Sequence, residues 1–220
     1  QGVEYPSVDA KHVKIHWEPY NEKWITEQID SAISMYDGNA KLEGGTIFTP
    51  KGLEGFGKFS FGKAQLTSDR YKFKEHEVVS DTSKFDILTD DTSLEDFAFK
   101  TENVSSYINF NEKKASFKSN DKMTVVQFPR NKYICFVDRF SWDMVTEQIV
   151  LGAELNNQQN VSEGDIVGSR FISVHPKQDT LNFVAPAATY DLKQYIINAK
   201  FVPFIKVADA TVYPGQDGKV

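Results

Sequence analysis

Apolar and polar residues alternate with a period of two over short stretches of this chain, and Gly, Asn, Asp or Pro separate the stretches. That is the pattern of strands with one buried face, joined by tight turns. Phe59-Ser-Phe61, Ala64-Gln-Leu66, Phe97-Ala-Phe99, Ala115-Ser-Phe117, Val126-Gln-Phe128, Phe171 to Val174, Leu181-Asn-Phe183 and Phe204 to Val212 carry it, and 17 phenylalanines favour strands over helices. The pattern predicts an all-β chain of antiparallel strands. Between residues 22 and 36 it is double. Trp24, Ile25, Ile29, Ala32, Ile33 and Tyr36 fall at helical spacing behind an Asn21 cap, whereas Ile25, Ile29, Ile33 and Met35 share one face of a strand. Period leaves helix and strand both open there, and strand is the reading taken. Ser93-Leu-Glu-Asp96 has the form of a capped single helical turn. The glycines from Gly44 to Gly62 read as tight turns and bulges between short strands. The polar, amide-rich run from Glu154 to Asp165 reads as a long loop or seam between a β-rich segment at 1–153 and a second at 166–220.

A longer pattern recurs. An aromatic residue, a polar turn-former, about five mostly polar residues and an apolar pair appear from Phe73-Lys74 to Val79, Phe110-Asn111 to Phe117, Trp142-Asp143 to Val150, and Tyr190-Asp191 to Ile197. Each unit is a hairpin that cannot bury its apolar face alone, so stacked rungs extending one core explain the recurrence. Phe73, Phe110, Trp142 and Tyr190 are expected to point inward, with Lys74, Asn111, Asp143 and Asp191 in solvent-facing turns. The architecture expected is an elongated antiparallel stack of hairpin rungs, jellyroll- or solenoid-like; the alternative is a β-sandwich.

Three phrases, Ala64-Gln-Leu-Thr-Ser-Asp-Arg-Tyr-Lys-Phe73, Ala185-Pro-Ala-Ala-Thr-Tyr-Asp191 and Val207-Ala-Asp-Ala-Thr-Val212, resemble the OstA-like repeats of lipopolysaccharide-transport proteins, whose short strands stack into a half-open β-jellyroll. Their cadence is also similar to that of large, repetitive envelope proteins of Gram-negative bacteria. The resemblance spans residues 57 to 220 and implies a cell-envelope (periplasmic or outer-surface) or secreted location, a non-enzymatic role and a longer chain. Its implied partners are a glycan or lipid ligand or other envelope proteins. The unequal repeat spacing departs from a regular open groove.

Composition narrows the partners. With 25 basic and 31 acidic residues among 220, the net charge of -6 disfavours nucleic acid, and no apolar run is long enough to cross a bilayer. Gln1 in place of Met, and a C-terminal Tyr213-Pro-Gly-Gln-Asp-Gly-Lys-Val220 that runs toward another strand, read as cuts within a longer polypeptide. The lone Cys135, between Ile134 and Phe136, reads as a buried thiol.

Catalytic signatures are weak. Gly52 to Lys58 has the spacing of a phosphate-binding loop, but Phe59 stands where Ser or Thr is required and an alternating strand follows. His12 and His16, beside Glu18, share a face, while His76 and His175 are isolated, so surface histidines are preferred to a zinc site. Asp90-Asp91 and Glu95-Asp96 lack a calcium-loop cadence. No nucleophile elbow occurs, so no enzyme activity, cofactor or metal is assigned. The segment with the most binding chemistry is Trp17-Glu-Pro-Tyr20-Asn-Glu-Lys-Trp24, where Trp17, Tyr20 and Trp24 form a candidate platform for stacking on sugar rings. The competing reading makes Trp17 and Trp24 core anchors over one end of the stack, and it is the preferred one. The functions carried forward are a structural or binding segment of a larger secreted or envelope protein and, as alternative, a carbohydrate-binding or glycan-processing domain.

Overall fold

The computed structural model describes residues 4–90, 97–152 and 168–215. The expected seam at 154–165, the helical turn at 93–96 and the acids Asp91, Glu95 and Asp96 lie outside them. Among the described residues twenty strands follow one another: β1 (Val8–Asp9), β2 (Val13–Glu18), β3 (Lys23–Gln28), β4 (Ile33–Met35), β5 (Ala40–Thr49), β6 (Gly52–Phe61), β7 (Ala64–Phe73), β8 (Glu77–Leu88), β9 (Phe97–Asn109) and β10 (Lys114–Ser119). They continue with β11 (Thr124–Phe128), β12 (Tyr133–Val137), β13 (Arg139–Asp143), β14 (Gln148–Leu151), β15 (Ser169–Ser173), β16 (Asn182–Ala185), β17 (Ala187–Asp191), β18 (Ile196–Lys200), β19 (Ile205–Val207) and β20 (Ala210–Val212). The stretch left open at 22–36 is strand, divided between β3 and β4, and the only helical element among the described residues is a single 3-10 turn at Pro19–Asn21. Phe204 to Val212 is a hairpin, with β19 and β20 turning back at Ala208.

Every strand joins one open antiparallel sheet. Its spine is the meander β5–β6–β7–β8–β9. Both outer spine strands are shared between two arms. The first half of β5 pairs β4, and its second half pairs β3. Likewise the end of β9 pairs β10 and its start pairs β11. One arm runs β10–β13–β14–β17–β18 and the other β11–β12–β15–β16–β19–β20. After β10 the chain therefore lays two strands in the second arm, two in the first, and so on. The repeat in the sequence is one such circuit.

Directly opposed residues of an antiparallel pair point to the same face. Following the register gives a single row across twelve strands: Trp17, Trp24, Phe48, Leu53, Phe73, Val78, Ile108, Ala115, Trp142, Ile149, Tyr190 and Ile197. A second row crosses the other half: Ile33, Leu42, Phe59, Leu66, Phe85, Thr101, Val126, Cys135, Phe171, Phe183, Ile205 and Val212. Ring contacts between the rows place them face to face in one core, Phe59 with Phe73 at 5.5 Å and Phe85 with Trp142 at 5.9 Å. The side chain of β11 next in line, Phe128, meets Tyr190 at 4.8 Å.

The spine must bend to serve both arms, and small residues sit at the bend. Gly44 and Gly57 are paired in mid-strand with φ of +156° and +113°, and a Cβ on Gly57 would lie 2.2 Å from the Glu43 carbonyl oxygen. The expected turns and bulges are met in part, since Gly62 lies in the β6–β7 turn and the register shifts between Gly55 and Gly57, but the strands are not short: Gly44, Gly45, Gly55 and Gly57 lie inside two ten-residue strands. Further along, buried hydroxyls satisfy the disturbed ladder, Ser68 with Ser80 at 2.8 Å and Ser83 with the Val104 carbonyl at 3.0 Å.

The register also corrects the repeat. Trp142-Asp143 and Tyr190-Asp191 align with Ile108-Asn109, so Phe110 is the first residue of its turn, equivalent to Met144 and Leu192. Phe73, Trp142 and Tyr190 are buried in the row, but Phe110 is only half-buried, because Ile108 occupies the inward position. Asp143 and Asp191 are not idle surface residues either. Asp143 accepts from the backbone N–H of Val145 and Thr146, and Asp191 from those of Lys193 and Gln194, all at 2.9 Å. The Thr146 N–H first, and then its hydroxyl, hold the Asp143 carboxyl below the usual aspartate range.

We expect Trp142→Ala to lose about 3–5 kcal/mol by opening a core cavity, and Asp143→Ala to lose about 1 kcal/mol by freeing two turn N–H groups. Because the folded Asp143 pKa lies below its unfolded value near 3.8, its contribution is present above about pH 4 and is lost as pH falls through the folded pKa. Urea unfolding of both variants at pH 7 and of Asp143→Ala at pH 3 measures this; equal losses for the two variants at pH 7 would contradict it.

Candidate functional site

The platform singled out in the sequence lies on the β2–β3 hairpin. Trp17 and Trp24 are directly opposed, and their rings stack at 4.6 Å with a 29° interplanar angle. They are 39% and 45% exposed, and Tyr20, on the 3-10 turn, is 100% exposed. The core-anchor reading is therefore wrong. The physical reason is position: among the described residues β2 pairs only β3, so the inner face of the first row reaches solvent at this end, together with Phe48. The turn itself is braced. Glu18 accepts from Asn21 Nδ2 at 2.7 Å and pairs with Lys23 at 3.1 Å, and Asn21 followed by Lys23 draws its carboxyl below the usual range. Glu22 completes the turn in the left-handed region at φ 48°.

A second site lies at the turn end of the sheet, where a cavity of about 900 Å³ opens. One wall is a ladder of turns. Phe110 N–H donates to the His76 carbonyl at 2.9 Å, Met144 N–H to Lys113 at 2.9 Å and Leu192 N–H to Glu147 at 3.0 Å. Each turn closes with its last residue left-handed, at φ 53° for Lys113, 57° for Glu147 and 56° for Tyr195. This common geometry lines up Phe110, Met144 and Leu192 along the cavity. Facing them are the turns before β5 and after β6, with Tyr36 and Phe61; Phe110 touches Tyr36 at 4.6 Å and Phe61 at 5.5 Å. Tyr36 is itself pinned, its hydroxyl donating to the carbonyls of Lys74 at 3.1 Å and Glu77 at 2.9 Å. Burial first, then Glu77, pushes that phenol far up, so it acts as a neutral donor. At the rim Lys63 bridges Asp90 and Glu147, and Asp90 foremost holds the ammonium in its charged form.

No sequence feature pointed to this cavity as a site, because its walls come from turns far apart in the chain. The signal available was the repeated Asn109, Asp143 and Asp191, each followed by an apolar residue.

The remaining candidates stay apart. Among the described residues no group of three or more His, Cys, Asp or Glu side chains gathers as a metal site. His12 is exposed and pairs with Asp30 at 3.2 Å, and His16 is exposed on β2. His76 lies in the β7–β8 turn, and the ring of His175 accepts from the Lys177 N–H at 3.1 Å. The glycine-rich Gly52–Lys58 run is strand β6, with no helix to receive a phosphate.

Cys135 belongs to the second buried row and is fully buried. Desolvation pushes its thiol far above the ordinary range. We expect a disulfide reagent at pH 8 to leave Cys135 unmodified in the folded protein and to modify it at once in 6 M guanidinium chloride; rapid labelling of the native protein would show the core to be open. No protein-family model matches the chain, and no curated protein matches it either.

Proposed function

We propose that this chain is a non-enzymatic structural or binding segment of a larger secreted or cell-envelope protein, and that its rungs form part of a longer wall. One observation carries the reading. The first row is buried from Leu53 to Tyr190, but its last three positions, Phe48, Trp24 and Trp17, remain in register and are partly exposed toward the edge strand β2. An apolar row of this kind supports a surface that a neighbouring segment covers. The test uses Trp142→Phe, which leaves Trp17 and Trp24 as the only tryptophans. We expect acrylamide quenching to fall at least twofold, with a blue shift, when the chain is expressed with the flanking sequence of its reading frame. Equal quenching with and without the flanks would overturn the reading.

The exposure of Trp17, Tyr20 and Trp24, beside Glu18 and Asn21, favours a second reading, a carbohydrate-binding module using these rings as its platform. In that case a glycan array gives saturable binding that weakens at least tenfold in Trp17→Ala and in Trp24→Ala, with unfolding midpoints nearly unchanged. Binding retained in both variants retires the platform.

A further inference from the structure

We infer that the cavity at the turn end is a saccharide-binding site, separate from the Trp17–Trp24 platform and independent of whether the chain is part of a longer wall. Its size, about 900 Å³, falls within the ~300–1,000 Å³ of small-ligand sites. It is a constructed wall rather than a gap between loops. Three consecutive turns share one backbone geometry and are hydrogen-bonded to one another, which holds Phe110, Met144 and Leu192 in line.

Phe110 is the odd member of the recurrent aromatics, half-buried where Phe73, Trp142 and Tyr190 are buried. Its ring is fixed by Tyr36 and Phe61 on the opposite wall, so it is ordered without being enclosed. An ordered, half-open aromatic ring is what the C–H face of a pyranose stacks on.

The polar side of the cavity matches the hydroxyls. Asn39 and Asn111 contribute amides, and Lys63 and Lys113 stand among the carboxylates of Asp37, Glu75 and Glu147. Lys63 is already paired with Glu147, and the lysines, carboxylates and amides offer donors and acceptors together, as a neutral polyhydroxylated ring requires. A fatty acyl chain would leave this rim unpaired.

Trp142 lines the cavity and serves as the reporter. In a Trp17→Phe, Trp24→Phe variant it is the sole tryptophan, and both substitutions fall at exposed positions. The experiment titrates this variant with neutral oligosaccharides chosen from a glycan array, and with laurate, while following Trp142 emission. The expected result is a saturable change with one saccharide class and none with laurate. Affinity should drop at least tenfold in Phe110→Ala and at least threefold in Asn111→Ala, whose substitution is on the exposed rim and leaves the fold intact. The inference is overturned if no saccharide changes Trp142 emission, if laurate alone does, or if Phe110→Ala and Asn111→Ala both bind as the parent does. Loss of the longer-wall reading in the quenching experiment would leave these outcomes unchanged, so the two fail separately.

Discussion

A hairpin of this chain has one apolar face, and it can bury that face only if the sheet continues on both sides and another layer lies over it. The two rows meet this requirement from Leu53 to Tyr190 in the first and from Ile33 to Phe183 in the second. Register brings one side chain from each successive strand into line, apolar at every position but Thr101, and the bent spine then lays one row against the other. Each Phe or Leu so buried contributes about 1.5–3 kcal/mol relative to exposure, and a one-residue slip in any pairing would turn that strand's whole set outward. Hydrogen bonds hold the rows in register, but burial of the rows is what makes the register unique.

The bend that lets the rows meet is costly for backbone and is accommodated locally. Midway along the β5–β6 pair only glycines fit at Gly44 and Gly57, since the chains pass so close that a Cβ would overlap a carbonyl oxygen. Where larger residues occupy the bend in β7, β8 and β9, serine and threonine hydroxyls accept and donate in place of missing ladder bonds, as in Thr101 with the Val125 carbonyl at 3.2 Å. A buried hydroxyl without such a partner would cost about 1–3 kcal/mol, which explains why polar residues stand inside an otherwise apolar core.

The same construction produces both candidate surfaces. Where the first row runs past its covering layer, the rings of Trp17 and Trp24 stack on each other in solvent. Where strands end together, their turns form a second ladder, and the first residue of each turn lines a shared cavity. Neither surface requires a dedicated loop; both are consequences of ending a regular sheet.

The sequence by itself determined that the chain is all-β, that it is built of recurrent hairpins, and that Cys135 is a core thiol, because period-two alternation and turn residues are local properties. Local pattern also identified Trp17, Tyr20 and Trp24 as neighbours. It could not say whether they face a core, since an apolar residue on an inner face looks the same whether or not a second layer covers it. The frame of the repeat escaped it for a related reason: Phe110 is aromatic like Trp142, but pairing aligns Trp142 with Ile108, and only hydrogen-bonded register settles that equivalence. The glycines were legible as special backbone, yet their place within long strands depended on β5 and β6 pairing closely along their whole length. Tertiary structure alone assembled the cavity, because Tyr36, Phe61, Phe110 and Leu192 come from turns far apart in the chain and meet only where the strands end together.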